Sequence, residues 1–236
     1  MENIRLDKYL SNTTGESRSK IKEILKAGRV KVNSVTVKDP QTKIAAGEDE
    51  VLLDGASVVY EKYRYFLLNK PAGCISATKD RLSDTVLDIF KDENTDGLFP
   101  VGRLDKDSEG LLLITNDGML AHELLSPNGH IPKTYFVELD RELEDADKEK
   151  IENKIDIGDD KPCLPAEVEK KDEKHALITI YEGRFHQVKR MFAAAGYEVR
   201  YLKRIAMGSL FLSEDLKVGE YVKIGEEEIK LLRKKD

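Results

Sequence analysis

Asp105, Asp107 and Glu109 stand at every second position and run into Gly110, the arrangement in this sequence that most invites chemistry. Carboxylates so spaced before a glycine imitate the start of a calcium loop. The imitation fails at the twelfth position, where Asn116 replaces the bidentate Glu, and Leu111-Leu112-Leu113 reads as a buried strand. Two readings of Asp105 stay open on its neighbourhood alone. One is an acidic surface loop that caps a strand. The other is a carboxylate held rigidly at a cleft edge, between Arg103-Leu104 and a tight turn. A carboxylate that serves as nucleophile or base must be ionised, so partial burial calls for a nearby cation or hydrogen-bond donors. A helix over residues 185–195 can supply the cation. Val188, Met191, Phe192 and Ala195 form its apolar stripe, and Lys189 sits at the stripe's edge. Lys189 can bury its stem there and offer its ammonium to a cleft. Ordinary solvated helix charge is the competing account of Lys189 and Arg190, and His186 and Gln187 are the other polar candidates.

Other chemistries find little support. Cys74 and Cys163 lie far apart, and with four scattered histidines they give no metal-ligand spacing, so bystander thiols and no structural metal are expected. No apolar run approaches the ~18 residues that cross a bilayer, and the first residues lack the apolar stretch of a signal peptide. A cytoplasmic protein without membrane contact is therefore expected. The net charge of −6 argues against a simple basic nucleic-acid binder, yet residues 1–38 hold nine Lys/Arg against four acids. That concentration can attract phosphate locally.

The basic stretch has its own architecture. Leu6, Tyr9 and Leu10 fall on one helical face, ended by Thr13-Thr14-Gly15. Ser17 can cap a second helix with Ile21, Ile24 and Leu25 as its apolar stripe and Gly28 just beyond its end. Val30/Val32 and Val35/Val37 alternate around Asn33-Ser34 as a hairpin, and Val51-Leu52-Leu53 reads as a third strand. Residues 56–62 read as a joint. Beyond it come a strand over Tyr63–Leu68, the turn Asn69-Lys70-Pro71-Ala72-Gly73, a short helix over Thr85–Phe90, a polar loop over Lys91–Gly97 and a buried strand over Leu111–Thr115. Asn116-Asp117-Gly118 reads as a turn, Met119–Leu125 as a helix, Thr134–Leu139 as a strand and Asp145–Ile155 as a charged helix. A hairpin is expected over Glu167–Lys170 and Ala176–Tyr181, before the helix that Gly196 closes. Strands and helices mix without regular alternation, which indicates α+β with a largely antiparallel sheet.

Two resemblances extend these readings. Arg5-Leu6-Asp7-Lys8-Tyr9-Leu10, Ser17-Arg18-Ser19 and Gly28-Arg29-Val30-Lys31-Val32-Asn33 resemble the S-four-type RNA-binding module first seen in a small-subunit ribosomal protein. The resemblance implies a small N-terminal αL module that binds structured RNA through its second helix and the following loop, with Arg5, Ser17, Arg18, Lys20, Lys22, Arg29 and Lys31 as contacts. Further on, Asn69-Lys70-Pro71-Ala72-Gly73, Gly102-Arg103-Leu104-Asp105-x-x-Ser108-x-Gly110-Leu111-Leu112, Lys133-Thr134-Tyr135 and Glu182-Gly183-Arg184-Phe185-His186-Gln187-Val188-Lys189-Arg190-Met191 follow in order. These four look like the motifs of bacterial rRNA pseudouridine synthases of the Rsu type, in the branch that acts on small-subunit (16S) rRNA.

That family implies an RNA-binding domain over 1–58 and a catalytic domain over 59–236 with a mixed, largely antiparallel sheet flanked by helices. It implies a cofactor-free isomerisation in which the N1–C1′ bond of uridine breaks and the base rejoins through C5. Asp105 would be the essential carboxylate, Tyr135 would stack on the flipped uracil and relay a proton, and Lys189 would pair with Asp105. Val188 would wall the base pocket and Arg103 would help extrude the base, since a stacked base is out of reach. Lys70, Arg184 and His186 would be RNA or loop contacts. The implied partner is ribosomal RNA, naked or in an assembly intermediate, met by a monomer. The alternatives are a 23S rRNA or tRNA synthase and a non-catalytic ribosome-assembly factor.

Overall fold

In the computed structural model, which describes residues 3–126 and 129–234, the chain divides into two compact units. The first runs to Tyr63 and takes in Phe90–Gly97. The second holds Arg64–Ile89 and the chain from Leu98 onward.

The first unit contains β1 (Asn3–Arg5), α1 (Leu6–Thr14), α2 (Arg18–Lys26), β2 (Val30–Val32), β3 (Val35–Thr36), β4 (Lys43–Ala45), β5 (Val51–Leu53) and β6 (Ala56–Ser57). Gly15 ends α1 in the left-handed region at φ 75°, and the Ser17 hydroxyl caps α2 by accepting from the Lys20 N–H. The helix stripes read from the sequence meet in one core, where Leu6, Tyr9, Leu10, Ile21, Ile24 and Leu25 pack with Ile4, Val30, Ile44 and Val51. Asn33 and Ser34 both take positive φ, 48° and 68°. Such turns match the twist of a two-stranded hairpin. Strands β1, β4 and β6 carry two or three residues each, too short to show a period. The stretch expected as a joint in fact completes this unit. Ala56 and Ser57 pair with β5, the Tyr9 hydroxyl donates to the Val58 carbonyl, and the Tyr60 ring stacks on Tyr9 at 5.3 Å.

The second unit is built on β7 (Tyr65–Lys70), β8 (Phe99–Pro100), β9 (Glu109–Thr115), β10 (Lys133–Leu139), β11 (Glu167–Lys170), β12 (His175–Ile180), β13 (Val199–Met207), β14 (Leu210–Phe211) and β15 (Tyr221–Lys223). Among the described residues they form one sheet in the order β11-β12-β10-β13-β9-β7-β15, with β14 on β13 and β8 on β9. Every pairing is antiparallel except β13 with β9. That parallel pairing spans only Lys203↔Glu109 and Arg204↔Gly110. Helices α3 (Gly118–Leu125), α4 (Asp145–Glu152), α5 (Gln187–Ala194) and α6 (Glu226–Arg233) flank the sheet. Leu120 and Leu124 of α3 and Ile229 and Leu232 of α6 pack with Leu67, Leu111 and Leu113.

Local chemistry sets the helix boundaries. Asp117, read as part of a turn, caps α3 by accepting from the Met119 and Leu120 N–H groups. The helix expected over Thr85–Phe90 is a single 3₁₀ turn over Val86–Ile89. No helix among the described residues is long and apolar enough to cross a membrane.

The longest strand, β13, carries no legible alternation because its buried face includes a cation. Leu202, Arg204 and Ala206 point inward, and Arg204 is only 2% exposed. Register with β10 also slips between Thr134↔Ala206 and Tyr135↔Arg204, which leaves Ile205 as an extra residue. A bulge of this kind re-aims side chains next to it. Here it sits beside Tyr135 and Arg204.

Candidate active site

A turn between β8 and β9 positions Asp105, and a buried cation organises that turn. Lys70, at the end of β7, has no solvent exposure. Its ammonium donates to the carbonyls of Pro71 at 2.9 Å, Asp105 at 3.1 Å and Ser108 at 2.8 Å. Burial pushes its pKa down, opposed by Cys74, Asp105, Asp107 and Glu109. The Gly73 N–H donates to the Lys106 carbonyl at 2.7 Å, and the Ser76 hydroxyl exchanges hydrogen bonds with the Leu104 backbone. The Asn-Lys-Pro-Ala-Gly stretch is therefore the clamp on the turn that carries Asp105. Lys70, expected as an RNA or loop contact, has its three donors spent on carbonyls inside the protein.

The three acids of the loop part company. The Asp105 carboxylate lies 3.6 Å from the Lys189 ammonium and 3.3 Å from His186 Nε2. Asp107 takes the closer contact with Lys189, 2.6 Å, and that ammonium holds the Asp107 carboxyl below its ordinary range. Glu109 accepts from the Tyr201 hydroxyl at 2.7 Å. Among the described residues no three His, Cys, Asp or Glu side chains converge as metal ligands. Lys189 thus bridges two carboxylates where the sequence suggests a single pairing with Asp105. Asp107 is the partner that sequence reasoning missed, two residues away on the same turn.

Asp105 lines a cavity of about 400 Å³ together with Tyr135, Val188, Arg103 and His186. Tyr135 and Val188 are nearly buried, whereas Arg103 is exposed at the cavity. Lys189 lies outside the lining and reaches Asp105 from behind the turn. His186 adopts φ 47° at the start of α5 and stacks on Phe185 with ring centroids 3.8 Å apart. The Phe185 ring is 69% exposed at the cavity.

Arg184 holds structure together. Its guanidinium donates to Glu182 at 3.0 Å and to the carbonyls of Lys161 at 2.6 Å and Pro162 at 2.8 Å. Gln187, 4% exposed, ties Glu182 to the Arg184 N–H. Arg184, expected as an RNA or loop contact, forms this staple between the 159–162 loop and the segment that leads into α5, and it also lines the cavity.

The sheet floor of the cavity supplies two buried cations that no periodic pattern announces. Arg204 donates from Nε to the Leu111 carbonyl at 2.8 Å, while its Nη2 is buried with no partner among the described residues. Lys133, 9% exposed, donates to the Ile131 carbonyl at 2.8 Å. Burial, assisted by Arg204, pulls the Lys133 pKa down to about 8.

This shift has a stability consequence. An unfolded lysine keeps its proton to about pH 10.4. Below pH 8 the fold must bury the ammonium, at a cost of about 3 kcal/mol for a depression of this size. Between pH 8 and pH 10.5 the folded side chain deprotonates first and the cost fades. Lys133→Met also loses a hydrogen bond that contributes about 1 kcal/mol. The variant should therefore be more stable than the parent by about 2 kcal/mol at pH 7 and slightly less stable above pH 10.5. Denaturant titrations across that range check the crossover, and a difference independent of pH would refute it.

In the first unit Arg18, Lys20, Lys22, Lys26 and Lys31 are exposed. Three of the expected contacts already have structural work. Arg5 pairs with the buried Asp7 at 2.8 Å, Arg29 pairs with Asp54 at 2.5 Å, and Ser17 is spent on its cap. Lys22, Lys26 and Lys31 have no ion pair among the described residues.

Comparison with known proteins agrees with both units. The model of the S4 domain matches residues 4–51, and that of the RNA pseudouridylate synthase family matches residues 64–194. An uncharacterised RNA pseudouridine synthase of Bacillus subtilis is 43% identical, covering 97% of this chain and 98% of that protein. The ribosomal small subunit pseudouridine synthase A of Escherichia coli is 37% identical, covering 96% and 98%. A crystal structure of a pseudouridylate synthase superposes with a TM-score of 0.70 at 37% identity, covering 97% of this chain and 99% of that one. With its carboxylate and tyrosine lining one cavity, a lysine paired with that carboxylate, and nearly its whole length matched, the chain belongs to the RNA pseudouridylate synthase family.

Proposed function

We propose that this protein isomerises a uridine of small-subunit (16S) rRNA to pseudouridine, with Asp105, Tyr135 and Lys189 as the working residues. One observation carries the reading: Asp105, from the turn before β9, and Tyr135, from β10, line the same cavity, with Lys189 3.6 Å from the carboxylate. The small-subunit assignment rests on the end-to-end similarity to the Escherichia coli protein named for that substrate.

In this reading the uridine leaves its stack and enters the cavity, Tyr135 lies against the uracil, and Val188 forms a wall. Asp105 acts on the sugar side as the N1–C1′ bond breaks. Lys189 pairs with one oxygen of the carboxylate, and His186 lies against the other. Arg103 reaches from the rim to the space the base vacates. The reaction is redox-neutral and moves no phosphate, so a monomer without a cofactor suffices. It works on rRNA in the cytoplasm, with residues 1–58 as the anchor and 59–236 as the catalyst.

Pseudouridine mapping of small- and large-subunit rRNA, with and without the gene, tests the assignment. Loss of one small-subunit site is expected. Loss confined to large-subunit rRNA or tRNA would replace the substrate, and no loss anywhere would remove the catalytic reading. The anchor carries its own prediction. With about four phosphate contacts, RNA affinity should fall about 100-fold between 50 and 200 mM salt. Replacing Lys22 and Lys26 by Gln should reduce the salt slope by about two. A slope unchanged by the double substitution would remove α2 from the interface.

A further inference from the structure

Two features of the cavity floor have no part in the scheme above: the unpartnered Nη2 of Arg204 and the second cation, Lys133. A buried guanidinium nitrogen without an acceptor is uncommon, since leaving such a donor unmade is costly. Arg204 is 2% exposed, lines the same cavity as Asp105 and Tyr135, and pairs in register with both Tyr135 and Gly110. Its Nε bond to Leu111 fixes the guanidinium, and the slip that leaves Ile205 unpaired lies directly beside it. Lys133 lies one side chain further along the same face of β10 as Tyr135. The Ser108 hydroxyl, also buried and without a partner among the described residues, lines the same cavity. Three donors in a cavity whose lining holds a single carboxylate, Asp105, describe a receptor for negative oxygen.

We propose that Arg204, with Lys133 beside it, is a catalytic residue that holds the detached uracil as an anion through its carbonyl oxygens. The proposal rests on the reading of the cavity as the site of isomerisation. When the N1–C1′ bond breaks, its electron pair goes to the base, and the charge spreads over N1, O2 and O4. C1′ is left electron-poor on the Asp105 side. The base then turns, C5 gives an electron pair to C1′ to form the new bond, the proton on C5 leaves, and N1 takes up a proton. No atom or electron is gained or lost overall. Between the two bonds the base is charged and unattached. A fixed donor in a water-excluded cavity meets that charge without reorganising and keeps the base from diffusing away. The depressed pKa of Lys133 fits this role, because a group that tolerates its charge poorly in the empty cavity gains most when an anion enters.

Arg204→Gln tests the assignment, measured in single turnovers on an rRNA transcript containing uridine and on one made with 5-fluorouridine. Fluorine makes the uracil a stronger acid, so the departing base bears its charge with less help. On uridine the variant should lose about 100-fold, the effect of one buried oxyanion donor, with RNA affinity unchanged. On 5-fluorouridine, followed as cleavage of the N1 glycosidic bond, the loss should shrink to 10-fold or less. Equal losses on both transcripts, or a loss below 10-fold on uridine, overturn the role. If Arg204→Gln does not fold, Lys133→Met carries the same comparison, with about a 10-fold loss on uridine that is smaller on 5-fluorouridine; equal losses again overturn it. Asp105→Asn serves as the control. Inactivity on both transcripts leaves the cavity reading intact whatever Arg204 does, whereas an active Asp105→Asn removes that reading and this inference with it.

Discussion

Asp105→Asn should abolish modification while leaving the protein folded, with a loss of at least about 1,000-fold in single-turnover rate, the scale expected of a positioned carboxylate acting as base or nucleophile. The substitution keeps the shape and removes the charge. Lys189 retains its 2.6 Å contact with Asp107, and the turn keeps its Lys70 clamp, which holds backbone carbonyls and not the Asp105 side chain. The Asp105 side chain is 24% exposed, so the amide meets water as well as protein. Unfolding midpoints of the two proteins should agree to within about 1 kcal/mol. The measurement is the pseudouridine content of rRNA from a deletion strain carrying the variant, beside a thermal melt of the purified protein. Modification at the wild-type level would end the case for Asp105. Loss of activity together with a collapse in stability would place the residue in the scaffold.

The second large effect lies in the scaffold. Gly110 takes φ 104°, and a Cβ added there would stand 2.2 Å from the Arg204 carbonyl oxygen and 2.8 Å from its nitrogen. Both obstacles are backbone, in the middle of a sheet, and neither can swing aside. Gly110→Ala should therefore cost about 3–5 kcal/mol, from the strained φ together with displacement of β13. Gly219→Ala makes a useful comparison, since a Cβ there meets nothing within 4 Å although φ is 85°. Its cost should be confined to the conformational strain, about 1–2 kcal/mol. Urea titrations of the two variants separate the terms, and equal costs would show that the close approach to Arg204 carries no energy.

The parts of the molecule that could be read beforehand are chiefly those where one face of an element is apolar and the other polar. Both N-terminal helices and the β2–β3 hairpin announce themselves in this way, β9 instead announces itself as an unbroken apolar run buried on both faces, and Gly15, Ser17 and Gly28 mark the helix ends. Strand β13 escaped because Arg204, its most telling residue, is a cation on the buried face. The C-terminal helix α6 escaped because only Ile229 and Leu232 are buried among its acids and bases. At the site, Asp105, Tyr135 and Val188 were legible through motifs. The division of Lys189 between two carboxylates was not, since the choice depends on the path of the turn. Lys70 and Arg184 show why a motif does not name a cation's acceptor: a cation in a motif suggests phosphate, yet a backbone carbonyl bent inward is an equally good acceptor. Only the fold reveals which acceptor is nearer.

The parallel contact between β9 and β13 is two residue pairs long, whereas β10 and β13 pair along seven and β7 and β9 along six. By backbone pairing the sheet is two halves joined at a short seam, crossed otherwise by side chains such as Tyr201 on Glu109, Arg204 on Leu111 and Lys189 on Asp105 and Asp107. Asp105 belongs to one half and Tyr135 and α5 to the other. Proteins open first where little holds the parts together. Sub-global opening along this seam would separate the carboxylate from the tyrosine while almost every hydrogen bond within each half survives. Rising denaturant should thus extinguish modification before circular dichroism changes, and the amides of Glu109 and Arg204 should exchange with solvent ahead of their neighbours in mid-strand.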